Sequence, residues 1–154
     1  MGTINWTRVI LGGLVAGVVI NVFESVLNGV VLAKDWEAAM AAIGKPPIAG
    51  NQIAVFVLWG FVVGIFAVWF YAAIRPRYGA GPRTAAIAAI AVWVMAYLLA
   101  GVAPLVTGVF PARLMLIGFA VGLVEVLIGT QLGAKIYREE EATGRMAAAA
   151  NAGR

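Results

Sequence analysis

The sequence predicts an all-α membrane protein: a four-transmembrane-helix bundle with a short hairpin between helices 3 and 4 and an interfacial helix after helix 1. Three observations carry this prediction. Hydrophobic residues make up 63% of the 154 residues and charged residues 12%, with a mean hydropathy of +0.97, which leaves too little polar surface to cover a soluble domain of this length. Four apolar runs reach the roughly 20 residues that a helix needs to cross a hydrocarbon core. Charges and prolines gather at the ends of those runs.

The runs are 7–32, 53–74, 84–106 and 112–136. They make 1–137 a transmembrane domain and leave 138–154 as a solvated tail that prolongs the fourth helix before fraying. In the first run, Val31-Leu32-Ala33 has the form of a signal-peptidase site and Arg8 that of a short basic leader. The apolar stretch is too long for a leader, however, and Asn21, Glu24 and Asn28 interrupt it, so it is read as a retained span. Asn51-Gln52 precede the second span, and Arg75-Pro76-Arg77 are expected to end it. The third opens at Thr84 as N-cap and closes near Pro104. The few residues between Thr107 and Pro111 force the last two spans into an antiparallel hairpin. After the first span, Asp35, Trp36, Met40 and Ile43 fit a short helix capped by Asp35 and stopped by Gly44, with Trp36 at headgroup depth. The alternative is a first span that continues outward as a tilted helix.

Composition also removes function classes. The chain has no cysteine and no histidine, so disulfides, thiolate metal sites, haem ligation by histidine and Cys or His catalytic systems are excluded. No cofactor, metal site or enzymatic activity is expected. The net charge of +4 comes from basic residues dispersed at span ends, which fits membrane topology and not nucleic acid. Arg8, Arg75, Arg77, Arg83, Lys135, Arg138, Arg145 and Arg154 fall on one side; Lys34, Lys45 and Arg113 fall on the other. This excess places both termini in the cytoplasm of a bacterial inner (plasma) membrane. The expected partner is the lipid bilayer, with a second copy of the chain or a larger membrane complex as further candidates.

Small residues mark the packing faces. Gly13 and Gly17, Gly60 and Gly64, Gly118 and Gly122, and Gly129 and Gly133 each stand four apart, which lets helix backbones approach where lipid gives no hydrophobic drive between helices. Ala85, Ala88, Ala89, Ala96 and Ala100 serve the third span in the same way. These faces suit contacts within one bundle or a dimer face.

Two acids carry the functional reading. Glu24 and Glu125 each lie inside an apolar run with no cation in that run, and a carboxylate at such depth costs on the order of 3 kcal/mol. Gly13, Gly17, Asn21, Glu24, Ser25 and Asn28 form one stripe on the first span, and Glu125 sits on the glycine ridge of the fourth, so both acids are expected to face inward. Glu24 lies roughly 12 Å and Glu125 roughly 18 Å from the outer ends of their spans. If the two helices are neighbours the acids share one site, with Asn21, Ser25 and Asn28 completing an oxygen-rich lining for a proton or cation. The alternative is packing, in which each protonated acid only hydrogen-bonds across helices. Trp59, Trp69, Tyr71, Trp93 and Tyr97 read as interface anchors or as the lining of a ligand cavity. Gly17, Glu24, Ala33 and Lys34 match the spacing of Gly118, Glu125, Ala134 and Lys135, a faint echo that fits inverted repetition or coincidence.

Asn5-Trp6, Lys34-x-Trp36 and the glycine-rich last helix ending near Lys135 resemble small bacterial four-span integral membrane proteins of uncharacterised function. The size and the acid in the first span also resemble small multidrug resistance transporters, and that resemblance implies a drug and proton role for Glu24. The long first loop, the second membrane acid and the longer tail depart from that pattern. Two functions are compatible with these readings: a non-enzymatic structural or accessory membrane protein, or a proton- or cation-coupled carrier working through Glu24 and Glu125. The asymmetry of basic residues makes a topological prediction. An impermeant thiol reagent applied from the periplasmic side should label Ala42→Cys and leave Ala80→Cys unlabelled; the reverse pattern would invert the orientation.

Overall fold

The computed structural model describes residues 4–138. Every regular element among them is a helix: α1 (Trp6–Val26), α2 (Ala33–Ala42), α3 (Gly50–Tyr78), α4 (Pro82–Trp93), α5 (Ala100–Val106) and α6 (Ala112–Ile136). A π-helical turn, Leu27–Val31, prolongs α1, and a second, Val94–Leu99, joins α4 to α5. The four stretches long and apolar enough to cross a membrane are therefore Trp6–Val31, Gly50–Tyr78, Pro82–Val106 and Ala112–Ile136. At about 1.5 Å per residue each exceeds the roughly 30 Å hydrocarbon core.

The ends of the spans depart from expectation in instructive ways. Pro76 lies inside α3. It removes one donor, and the helix needs only two more residues before Gly79 leaves it at φ 84°, a conformation natural to glycine. Thr84 is not the cap of the third span. The helix starts at Pro82, where a missing N–H costs nothing, and the Thr84 hydroxyl donates back to Gly79 O at 2.7 Å. Pro104 is likewise internal, to α5. Asp35 sits in the first turn of α2 and not at its N-cap, while Gly44, at φ 69°, closes that helix as expected. Tyr137 leaves α6 in an extended conformation, so the fourth helix stops at Ile136; the rest of the expected tail, 139–154, lies outside the described residues.

The spans run up, down, up and down. α1 packs against α3 and α6, α4 packs against the same two helices from the other side, and α3 touches α6 across the middle. Asn5 N–H donates to the Tyr137 hydroxyl at 3.4 Å, which brings the beginning and end of the described chain to one end of the bundle. The opposite end is closed by α2, whose Ala39 joins Leu27, Leu32 and Leu114 in a buried cluster with Trp36 and Phe110 against it.

Backbone contact holds the seams. A Cβ on Gly64 would stand 2.6 Å from Gly13 O and against the Gly17 backbone, so α3 rides on α1 with no side chain between them. On the other flank of α1, a Cβ on Gly133 would stand 2.6 Å from Gly12 O, and one on Gly129 would stand 3.0 Å from Ala16 O. Gly12, four residues before Ala16, is thus a partner that pairing glycine with glycine overlooks. Gly118 is a correction of the opposite kind, since a Cβ there meets nothing within 4 Å. Ala85, Ala88 and Ala89 are fully buried, but Ala100 is exposed and Ala96 half-buried. The π turn between α4 and α5 adds residues to one turn and rotates the remainder of the span away from the face that α4 buries.

These contacts predict a contrast in stability. Gly64→Ala and Gly133→Ala should each cost about 1–3 kcal/mol, because the added methyl meets backbone that cannot move aside. Gly118→Ala should be neutral or stabilising, since it adds helix propensity in open space. Thermal unfolding of the three variants in detergent tests the contrast.

Candidate functional site

The seam between α1 and α6 determines where the acids meet. With Ala16 against Gly129 and Gly12 against Gly133, the two helices run antiparallel at close range, and Glu24 arrives one turn nearer the α2 end than Glu125. The two carboxyls lie close enough for each to act electrostatically on the other. Glu125 has 0% of its surface exposed, whereas Glu24 is half-buried.

Each acid has its own hydrogen-bond donor. The Tyr97 hydroxyl donates to Glu125 Oε1 at 2.5 Å, across the α4–α6 seam. Its ring lies on Gly122, where a Cβ would stand 2.5 Å from Cδ1 of the ring. Gly122 is therefore a seat for Tyr97 and not a backbone-to-backbone contact. On the other side, Asn28 Nδ2 donates to Glu24 Oε2 at 2.5 Å, and Trp36 Nε1 donates to Asn28 Oδ1 at 2.7 Å. A continuous polar row results: Trp36, Asn28, Glu24, Glu125, Tyr97. Asn28 and Tyr97, the donors to the two acids, both lie on π turns, which occur mainly as local bulges at functional positions.

Not every expected residue joins this row. Asn21 donates to Gly17 O at 2.9 Å and to Val57 O at 3.1 Å, so it ties α1 to α3, and Gly60 leaves room for its amide. Ser25 is exposed on the outer face of α1 and lines nothing near the acids. Glu24, Glu125 and Asn28 come together; Asn21 and Ser25 do not. Gly17 lies beneath the Phe61 ring whereas Gly118 meets open space, so the echo between the first and fourth spans has no counterpart in packing.

Two members of the row make contacts that the sequence reading does not assign: it takes Tyr97 as an interface anchor or a cavity lining and Trp36 as a residue at headgroup depth. The sequence does hold a signal for Tyr97, because in an antiparallel hairpin turning through 107–111 Tyr97 and Gly122 stand about equally far from the turn. A large ring opposite a missing side chain is a packing match. Trp93 Nε1 adds a second bond across that seam, to Phe119 O at 2.8 Å.

The chemistry of the pair is that of facing carboxyls. A carboxylate only accepts, and Glu125 Oε2 is buried with no protein donor. No cation pairs with either acid among the described residues, and none of these residues form a group of three or more His, Cys, Asp or Glu suited to a metal ion. Two charges so close in a low dielectric repel strongly, and one proton between the carboxyls removes the repulsion and satisfies Oε2. A groove at the opposite end of the bundle, lined by Tyr71, Pro82, Gln131 and Lys135, does not reach the acids. Comparison with protein-family models, curated proteins and solved structures finds no match to this chain.

The Tyr97 bond makes its own prediction. Tyr97→Phe keeps the ring on Gly122 but deprives Glu125 Oε1 of its donor, and should lower stability in detergent by about 1–3 kcal/mol. Trp59→Phe, at an exposed aromatic, should leave stability unchanged.

Proposed function

We propose that this chain is a non-enzymatic, multi-pass protein of a bacterial inner membrane, with both termini cytoplasmic, and that it works as a proton-coupled carrier of a small solute through Glu24 and Glu125. The observation that supports this reading is the approach of two carboxyls within apolar spans, with no cation paired to either among the described residues. A pair of this kind retains one proton, because its loss would restore the repulsion between two charges, and so offers a bound proton at membrane depth. Asymmetry favours exchange as well: Glu24 is half-buried and Glu125 enclosed, so a proton taken up at Glu24 has an inner acceptor.

The rival reading, an accessory or structural subunit, draws on the complete enclosure of Glu125 and its bond to Tyr97. There the acid pair is a hydrogen-bonded weld between α1 and α6. The two readings differ in how glutamine behaves, since glutamine keeps the shape and most of the hydrogen bonding of a neutral acid. Under the carrier reading, the protonated-carboxyl infrared band of purified protein changes between about pH 5 and pH 9, Glu24→Gln and Glu125→Gln each alter that change, and both abolish pH-driven flux in liposomes while the fold persists. A band constant over that range, with both glutamine variants behaving as wild type, would leave only the structural role.

A further inference from the structure

We infer that α2 is the outer gate of the acid pair and that Trp36 is its positioning residue, so that protons reach Glu24 from the α2 side of the bundle and only when α2 lifts. The inference rests on the carrier reading above and specifies the regulation of that same site.

Three contacts seat α2 over the end of the bundle where Glu24 is nearer the surface. The Trp36 indole N–H donates to Asn28 Oδ1 at 2.7 Å, and Asn28 spends its own amide on Glu24 Oε2. The Trp36 ring meets Phe110 edge to face, with centroids 5.4 Å apart. Asp35 pairs with Arg113 at 3.0 Å, joining α2 to the first turn of α6. The indole can only donate, so it fixes the Asn28 amide with its carbonyl outward and its NH2 toward Glu24. Release of Trp36 frees that amide to rotate, and the group facing Glu24 ceases to be an obligatory donor. Trp36 thus acts on Glu24 through Asn28 without touching it.

The seat is also one that can open. The Asp35–Arg113 pair is solvent-exposed, and exposed pairs contribute little. α2 has no side-chain N-cap bond and is joined to α1 through the π turn Leu27–Val31, a local bulge of the kind that occurs mostly at functional positions. The loop behind it, 43–49, contains Lys45-Pro46-Pro47 and no helix. By contrast, backbone meets backbone where Gly64 lies on Gly13 and Gly17 and where Gly133 lies on Gly12, so the end that can move without separating spans is the α2 end.

The test uses the absence of native cysteine. Full-length protein carrying Asp35→Cys and Arg113→Cys is bridged by a reductant-cleavable bifunctional thiol reagent, and hydrogen–deuterium exchange of the protonated carboxyl band is followed by infrared spectroscopy. Bridging should slow that exchange about tenfold or more, as expected when an opening step controls access, and cleavage should restore it. In a second arm, Trp36→Phe keeps the ring against Phe110 but removes the donor; it should shift the carboxyl band and speed exchange about tenfold. Equal exchange in bridged and released protein would overturn the gate, and an unshifted band in Trp36→Phe would overturn the positioning role. A pair that titrates normally yet ignores both manipulations leaves the carrier reading standing without this inference. A wild-type protein with no titrating carboxyl band removes both.

Discussion

Close backbone approach of α1 to α3 and α6 is the constraint on which the rest of the structure depends. Lipid chains are as apolar as leucine, so the helices gain nothing by hiding side chains from water, and association must come from packing and polar contact. Gly13, Gly17 and Gly64 on one flank and Gly12, Ala16, Gly129 and Gly133 on the other bring little or no side chain of their own to those two seams, so backbone, the Phe61 ring and the Ile65 and Val68 side chains lie directly on them. Contact at that range also fixes rotation and depth, because a glycine face fits another backbone in few registers. Glu24 and Glu125 meet because the seam below them admits no other alignment.

A polar group within the hydrocarbon region must find its partners inside the bundle, and the chain answers this site by site. Asn21 is satisfied by two carbonyls, one of them on α3; Trp93 by a carbonyl of α6; Glu125 Oε1 by Tyr97. These bonds cross two seams, α1–α3 for Asn21 and the third span against α6 for Trp93 and Tyr97, so the polar residues divide into separate tasks. Glu125 Oε2 and the Thr130 hydroxyl on α6 are exceptions, both buried without a hydrogen-bond partner. A proton on the acid pair would give Glu125 Oε2 a partner.

The spans are legible in the sequence because length and hydropathy suffice to define them, and the hairpin is legible because its turn is short. The face assignments are legible only in part. Pairing glycines four apart locates Gly13 and Gly17 correctly but says the same of Gly118, which opposes nothing, and misses Gly12, whose four-residue partner is Ala16 and which opposes Gly133. One helix face can be read from one sequence; the partner face requires the crossing. Ser25 fails for a related reason: residues at three- and four-step intervals spread over an arc, and Ser25 lies at the edge that turns outward. Pro76 and Pro104 read as stops because proline removes a donor, yet near a helix end one lost bond is outweighed by the rest of the span.

The two π turns account for what periodicity alone leaves out. A helical wheel assumes one rotation per residue throughout, and each π turn breaks that assumption at the depth where polar residues matter. Beyond Val94–Leu99 the alanines that should continue the buried face of α4 are no longer buried, while Tyr97, in the middle of the wide turn, is turned onto Gly122 and Glu125. Beyond Leu27–Val31 the chain leaves the axis of α1 and lays α2 across the bundle end, where an indole that sequence alone assigns to the headgroups reaches Asn28. The irregularities are therefore the means by which a mostly apolar chain, with few polar side chains in its spans, brings two of them onto its two acids.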